Sequence, residues 1–526
     1  MAGKTAVLES RDPATGELID TVPITPARRI AAIADEVARV QQGWALVPVA
    51  ERAEVLREAA QVMIRRRREL TDLITAETGK TLMDASTIEV TGMILICDWL
   101  GHWAPRYLAA ERIPRSKAPA WHKRQSIVYR SLGVVGVIGP WNYPFSLAGS
   151  EVAFGLAAGN GVVLKPSEHT PLVGEAVADV FREAGLPDGV LRVVHGAGET
   201  GSAVVKAPAI RKIVFTGSTS IGRKIMEVAG KHGKQVVLEM GGKDPAVVLA
   251  DADLDRAVAG VAWGAFANAG QTCASIERVY VDRRVYDEFV SRVVQMAKAL
   301  EPGDPRHPDT QIGAVRDLQL ARIVEHLDDA VARGAEVRCG GPVDVPGLAG
   351  RFVAPTVLTG VDHSMAVMRE ESFGPVMPVM PFDTVDQAVG LANDSPYGLG
   401  ASVWTTDLRA ARAVAARIEA GMVWVNDHAY SHPVAQTPWG GTKESGRGVV
   451  HSKHGLYEMV EKRLLSEDAG RLPGGWWWYP YDTVKREGFA AMIDALFLPG
   501  ARARAEELRR RWPTIKEYVR RVAQSP

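Results

Sequence analysis

The chain has 526 residues, 46% hydrophobic and 24% charged, a composition that excludes a disordered or fibrous protein and supports large buried cores. Its 62 Lys+Arg balance 62 Asp+Glu, so no overall basic excess calls for a nucleic-acid partner or an anionic membrane. The length exceeds what one hydrophobic core supports, and two or three domains are expected.

The first twenty residues are polar, and no run of about 18 apolar residues occurs, so neither a secretory signal nor a membrane span is expected. Cys97, Cys273 and Cys339 are odd in number and far apart, which fits neither a disulfide framework nor a zinc knuckle. A reducing, cytoplasmic setting follows as the expectation.

From Thr25 to Leu108 apolar residues recur at helical spacing (Ile30, Ile33, Val37, Val40, then Val55, Leu56, Ala59, Val62, Met63), which predicts a helical opening segment. Short apolar runs at 134–138, 162–164, 191–194, 213–215 and 236–238 then alternate with amphipathic helices, the pattern of a parallel, doubly wound sheet. A second α/β set follows, with strands at 246–249, 279–281, 376–379 and 422–425 and helices at 285–300 and 315–333. The stretch Gly470 to Pro480, GRLPGGWWWYP, changes composition sharply and marks the start of a C-terminal extension. No internal repeat is found.

Five places in this frame carry candidate chemistry. Gly217-Ser218-Thr219 is a turn between a strand and a helix predicted to open near Gly222, where backbone N–H groups and the helix dipole can hold a pyrophosphate. Its spacing departs from GxGxxG, and alone it reads more readily as a glycine turn in an α/β domain. Lys165-Pro-Ser-Glu168 puts an ammonium and a carboxylate at a strand end, able to bond ribose hydroxyls or simply each other. Cys273 sits in a small-residue loop after Gly270, where backbone amides could lower a thiol pKa and bind an oxyanion; Cys97, inside the apolar run 93–100, reads as core. Glu239 ends a strand before Gly241-Gly242, where a general base could sit, and Asn142 lies between Pro140 and Pro144 in a turn that fixes its amide.

Taken together, Pro140-Trp-Asn-Tyr-Pro144, Lys165-Pro-Ser-Glu168, Phe215-Thr-Gly-Ser218, Leu238-Glu-Met-Gly-Gly242, Phe266-x-Asn-x-Gly-Gln-x-Cys273, Glu371-Ser-Phe-Gly-Pro375 and Pro438-Trp-Gly-Gly441 resemble the aldehyde dehydrogenase superfamily, in its order and over roughly residues 12–468. The resemblance implies a Rossmann-like cofactor domain (1–121 and 133–241), a second α/β catalytic domain (242–456), a small β oligomerisation flap (122–132 and 457–468) and an extension (469–526). It implies Cys273 as nucleophile, Asn142 with the Cys273 backbone N–H as oxyanion donors, and Glu239 as the base that activates water on the thioester. Cofactor residues carried over are Lys165, Ser167 and Glu168 for the adenosine ribose, Thr216, Gly217 and Ser218 for the pyrophosphate and nicotinamide, and Trp141, Glu371 and Phe373 beside the nicotinamide half. Glu168 favours NAD, with NADP left open.

Tyr143 and Trp439 match positions that line the aldehyde tunnel in relatives, implying an apolar, aliphatic or aromatic aldehyde. Within 427–436, His428, Tyr430 and His432 are expected at the tunnel mouth; they lack an i, i+4 pair on a helix, and no metal is expected. No Arg stands out as a clamp for a semialdehyde carboxylate. The expected partners are a small aldehyde and further copies of the chain, as dimer or tetramer. The rival readings are a CoA-acylating or semialdehyde dehydrogenase and, more remotely, a non-catalytic protein with the same fold.

The extension carries aromatics at 476–481, a helical stripe of Phe489, Met492, Ile493, Leu496 and Phe497, and a second of Ile515, Tyr518, Val519 and Val522. From Arg502 to Arg521, eight Lys/Arg face three Glu. Packing on the protein or a neighbouring subunit is the favoured reading; a tunnel lid and peripheral membrane attachment are the other two.

Overall fold

The computed structural model describes residues 6–114, 123–469, 475 and 477–524. They fall into two compact units, one of residues up to 107 with 131–460 and the other of 108–130 with 461 onward. In the first unit the expected helical opening is present as Ala27–Leu46, Val49–Arg65, Arg67–Thr78 and Gly92–Tyr107, with a π-helical turn at Ala85–Thr91. Ile30, Ala34 and Val37 of the first helix are buried against Val134, Val163 and Ile213 of a sheet, which explains their 3.6-residue period.

That sheet has the order Gly446–Arg447, Gln235–Glu239, Ile210–Thr216, Val134–Ile138, Gly161–Lys165, Leu191–Val193. Its last five strands pair in parallel, and Gly446–Arg447 is antiparallel to Gln235–Glu239. All five residues of Val134–Ile138 and of Gly161–Lys165 are buried, as expected for strands covered on both faces. The carboxyl ends of the parallel strands deliver Ile138-Gly-Pro-Trp-Asn142, Lys165, Thr216 and Glu239 to one edge.

A seven-stranded sheet follows, ordered Glu336–Val343, Phe352–Thr359, Val376–Phe382, Ile276–Asp282, Asp244–Val248, Gly400–Trp404, Met422–Val425. Four of these strands match the apolar runs read from sequence. The three unread ones have local reasons: Glu336–Val343 is an exposed antiparallel strand broken by Gly340 and Gly341, Phe352–Thr359 contains Pro355, and Gly400–Trp404 opens on glycine. An N-terminal hairpin, Val7–Arg11 with Leu18–Pro23, was also hidden, because its strands are largely exposed and polar. The fold is therefore the expected α/β class with parallel sheets.

In the second unit Glu111–Arg112, Arg124–Ser131 and Val460–Glu467 form a three-stranded sheet, and the extension forms a hairpin of two helices, Thr483–Phe497 and Ala501–Gln524. Part of the expected flap and part of the aromatic run, His122 and Trp476, lie outside the described residues.

Trp404 is the largest fully buried side chain; its indole N–H donates to Ser402 Oγ at 3.0 Å, and its ring fills the space beside Gly260. Trp404→Ala is expected to cost about 3–5 kcal/mol by cavity formation, read as a lower guanidinium midpoint.

Candidate active site

The loop that carries Cys273 is backbone under constraint. Asn268, Ala269 and Gly270 take successive positive φ values of 54°, 54° and 69°. For Ala269 such a conformation costs about 1–2 kcal/mol, and at position 270 only glycine fits, since a Cβ would stand 2.1 Å from the Gly374 carbonyl oxygen. Side chains hold the loop in this shape. Asn268 Nδ2 donates to the Asn142 and Gln271 carbonyls at 3.2 and 3.1 Å, Gln271 Nε2 to the Asn268 and Ala314 carbonyls, and Asn142 Nδ2 to the Gln271 carbonyl at 3.0 Å. His428 Nε2 lies 2.6 Å from the Ala274 carbonyl, so the ring carries its N–H there.

The Asn142 turn is fixed from behind. Lys80 Nζ donates to the Asn142 carbonyl at 2.7 Å and to Glu89 at 2.6 Å, while the other Glu89 oxygen accepts from the Phe145 and Ser146 N–H groups at 2.9 Å each, at the start of the helix Ser146–Ala157. Lys80 and Glu89 have fully buried side chains. Such a pair is a positioning device whose desolvation offsets much of its attraction.

Two electrostatic features differ from simple expectation. Burial, with Asp244, Glu239 and Glu371 nearby, pushes the Cys273 thiol up; a backbone N–H pulls the other way and is outweighed, so the loop amides do not lower the thiol as expected. The Glu239 carboxyl is raised well above the usual carboxylate range by burial and then by repulsion from Glu151, a buried residue of Ser146–Ala157 itself pushed up to about 8. Neither Glu239 oxygen has a hydrogen-bond partner among the described residues. Such unpartnered buried carboxylates are rare in folded proteins and mark functional sites.

Cys273, Asn142 and Glu239 all open onto a groove at the sheet's carboxyl edge. Every cofactor residue expected from sequence lines the same groove: Trp141, Lys165, Ser167, Glu168, Thr216, Gly217, Ser218, Glu371 and Phe373. Lys165 Nζ donates to Glu168 at 3.1 Å; burial alone would raise the Glu168 carboxyl, but Lys165 holds it below its usual value. The carboxylate is thus ionised and can accept hydroxyl protons. The helix opens at Thr219, three residues before the expected Gly222, because Ser218 is extended and its carbonyl already accepts from Ile221 and Gly222. Gly222 instead lets the helix approach Met240, whose Sδ would lie 2.3 Å from an added Cβ. Glu371, pushed up to about 8 by burial and Glu277, accepts from the Gly242 N–H at 3.2 Å. Phe373 meets Trp141 edge-on at 5.6 Å, and its segment is held by Glu277, which accepts from the Ser372 and Phe373 N–H groups.

The groove suits a dinucleotide on its own features. It offers a helix start for a pyrophosphate, an ionised carboxylate for ribose hydroxyls, and aromatic and aliphatic walls for the rings. Sequence reasoning missed a second helix start on its wall, Gly198–Lys206, where Cβ atoms added at Gly198 or Gly201 would touch nothing within 4 Å. It also missed Arg316, whose guanidinium lies 5.1 Å from the Trp141 ring. Both lie in segments without a distinctive local pattern.

Cys273 also lines a second, apolar cavity with Tyr143, Leu147, Trp263, Ala429, Pro433 and Trp439. Tyr143 and Thr272 hydroxyls are 2.9 Å apart, and Lys80 lies 3.9 Å from the Tyr143 ring centroid. His428 and His432 line the cavity, each pushed down to about 4 by burial and therefore neutral. Tyr430, expected beside them, is exposed and does not line the cavity. Among the described residues, no group of His, Cys, Asp and Glu could hold a metal ion.

The sequence profile of the aldehyde dehydrogenase family matches residues 1–465. The chain is 39% identical over 465 residues to a betaine aldehyde dehydrogenase of Mesorhizobium japonicum, covering 87% of this chain and 93% of the relative. It is 39% identical over 458 residues to a succinate-semialdehyde dehydrogenase [NADP(+)] of Deinococcus radiodurans, covering 86% and 93%. The structure of an aldehyde dehydrogenase from Bacillus cereus, solved as an NAD+ complex, superposes with a TM-score of 0.84 at 33% identity, covering 88% of this chain and 94% of that one. A fold, a two-sided cysteine site and extended sequence identity thus agree, and the chain belongs to the aldehyde dehydrogenase family, enzymes that oxidise aldehydes with NAD or NADP.

Proposed function

We propose that Cys273 is the nucleophile of an NAD-dependent oxidation of an apolar aldehyde to its carboxylic acid. The observation that carries this is the position of one sulfur on the wall of both the apolar cavity and the polar groove. Because the thiol is raised, it gives up its proton to solvent as it attacks, and Glu239, unpartnered in the same groove, stays available for the later hydrolysis. The thiolate adds to the aldehyde carbonyl carbon. The resulting oxyanion takes the second N–H of the Asn142 amide, whose first is committed to Gln271, and the Cys273 backbone N–H. One such donor is worth about 3 kcal/mol of transition-state stabilisation. NAD(P), when bound in the groove, supplies the hydride acceptor. Glu239 then removes a proton from water, which attacks the Cys273 thioester and frees the acid and the thiol.

Lys165, Ser167 and Glu168 bind the adenosine ribose in this reading, Gly217 and Ser218 the pyrophosphate, and Thr216, Trp141, Glu371 and Phe373 the nicotinamide half. Glu168 repels a 2′-phosphate and favours NAD over NADP. An apolar aldehyde is favoured over a semialdehyde because the described residues lining the cavity include no Arg or Lys. Tyr143 and Trp439 form its walls. The domain division of the sequence reading, with a cofactor domain, a catalytic domain and a flap, goes with this proposal, as does a cytoplasmic setting. Among the described residues no helix is long and apolar enough to cross a membrane. Assembly into a dimer or tetramer is supported by the exposed strand Val460–Glu467, on which Leu464 and Leu465 face solvent.

The decisive assay is NADH absorbance with hexanal or benzaldehyde, with and without CoA. Turnover without CoA, lost by at least a thousandfold in Cys273→Ala, is expected; an absolute requirement for CoA contradicts the hydrolytic role of Glu239. A second expectation follows from Glu151. Its charge opposes ionisation of Glu239, so Glu151→Gln eases the loss of that proton, and the rising acid limb of the kcat profile moves to lower pH. An unmoved limb, or one moved to higher pH, would show that Glu151 does not act on the base.

A further inference from the structure

We propose that the C-terminal helical hairpin is a peripheral docking surface for anionic lipid bilayers. The hairpin first satisfies its own core. Tyr518 and Val522, both buried, pack against Phe489 and Met492 of the preceding helix, and Gly488 makes the close approach feasible, since a Cβ there would stand 2.1 Å from that of Tyr518. Part of each stripe expected from sequence is thus packed within the hairpin itself.

It leaves a second set of apolar side chains in solvent. Leu508, Trp512 and Val519 are 42%, 55% and 41% exposed. At about 100° per residue they fall within roughly 40° of one another on the helix Ala501–Gln524. Before the hairpin, Trp477, Trp478, Tyr479 and Tyr481 are all at least half exposed, and Phe497 at the end of the first helix is 56% exposed. Large apolar side chains left in solvent in this number, on one helix face and in the segment before the hairpin, mark an interaction site.

Charge selects the occupant. Residues 502–521 carry eight Lys/Arg against three Glu. Several arginines are used internally, as Arg510 and Arg511 with Glu507 and Arg520 with Glu517. Arg509 and Lys516 form no ion pair among the described residues and lie along one side of the exposed stripe, about 60° and 40° from Trp512. Two copies of this face meeting across a twofold axis would bring like charges together, whereas Trp-rich stripes edged by unneutralised Arg and Lys match the headgroup region of an anionic bilayer.

The test is flotation of the full-length protein with vesicles of phosphatidylcholine alone or with 30 mol% phosphatidylglycerol, at low and high salt. Binding is expected to be at least tenfold stronger on the anionic vesicles and to weaken with salt. Removing two basic groups in Arg509→Gln/Lys516→Gln should weaken it roughly 30-fold, with turnover of a short soluble aldehyde unchanged. Equal partition onto both vesicle types, or no partition of the wild-type protein, overturns the proposal without bearing on the catalytic reading. A fall in oligomer mass in Trp512→Ser, with no vesicle binding by the wild type, would assign the face to a second copy.

Discussion

Everything in this structure depends on holding one sulfur atom where two unlike environments meet. An apolar cavity can admit an aldehyde and exclude competing water, while a polar groove can hold a dinucleotide, and the two share Cys273. No regular element passes through such a point, so the backbone reaches it through three successive left-handed residues, 268–270. Local strain of this kind persists only where the surroundings over-determine it. Here the amides of Asn142, Asn268 and Gln271 do so, each donating to a carbonyl of the loops they join.

The next layer is built from buried carboxylates that accept pairs of backbone N–H groups. Glu77 takes those of Leu172 and Val173, Glu89 those of Phe145 and Ser146, and Glu277 those of Ser372 and Phe373. Glu77 ties one helix to the first turn of Pro171–Glu183, Glu89 holds the turn that carries Asn142, and Glu277 holds the segment that carries Phe373. Buried carboxylates are costly alone, but a charge-assisted pair of N–H bonds repays much of that and fixes direction as well as distance. Glu239 is the contrast. It too is buried, but it has no hydrogen-bond partner among the described residues and faces a second acid, Glu151, which together with burial raises its carboxyl.

Much of this was legible in the sequence because the site lies at the ends of parallel strands, where residue type follows from topology. The buried strands 134–138 and 161–165 announce themselves as apolar runs, and the motifs after them supply Asn142, Lys165 and Glu168. What stayed hidden depends on tertiary contact. Glu89 and Lys80 read as ordinary polar residues of a helical segment until the fold encloses them, and Glu151 looks like a solvated helix charge although it is 4% exposed. The thiol of Cys273 was misjudged for the same reason. Loop amides are visible in sequence, whereas the burial that outweighs them, and the three carboxylates that add to it, are not.

The central claim is that this sulfur carries the acyl group between oxidation and hydrolysis. In Glu239→Gln the water-activating step is slowed, so rapid quenching after mixing with NAD and benzaldehyde, followed by peptide mass spectrometry, is expected to find close to one benzoyl group per chain on the Cys273 peptide. A stoichiometric burst of NADH with that peptide unmodified would contradict the claim.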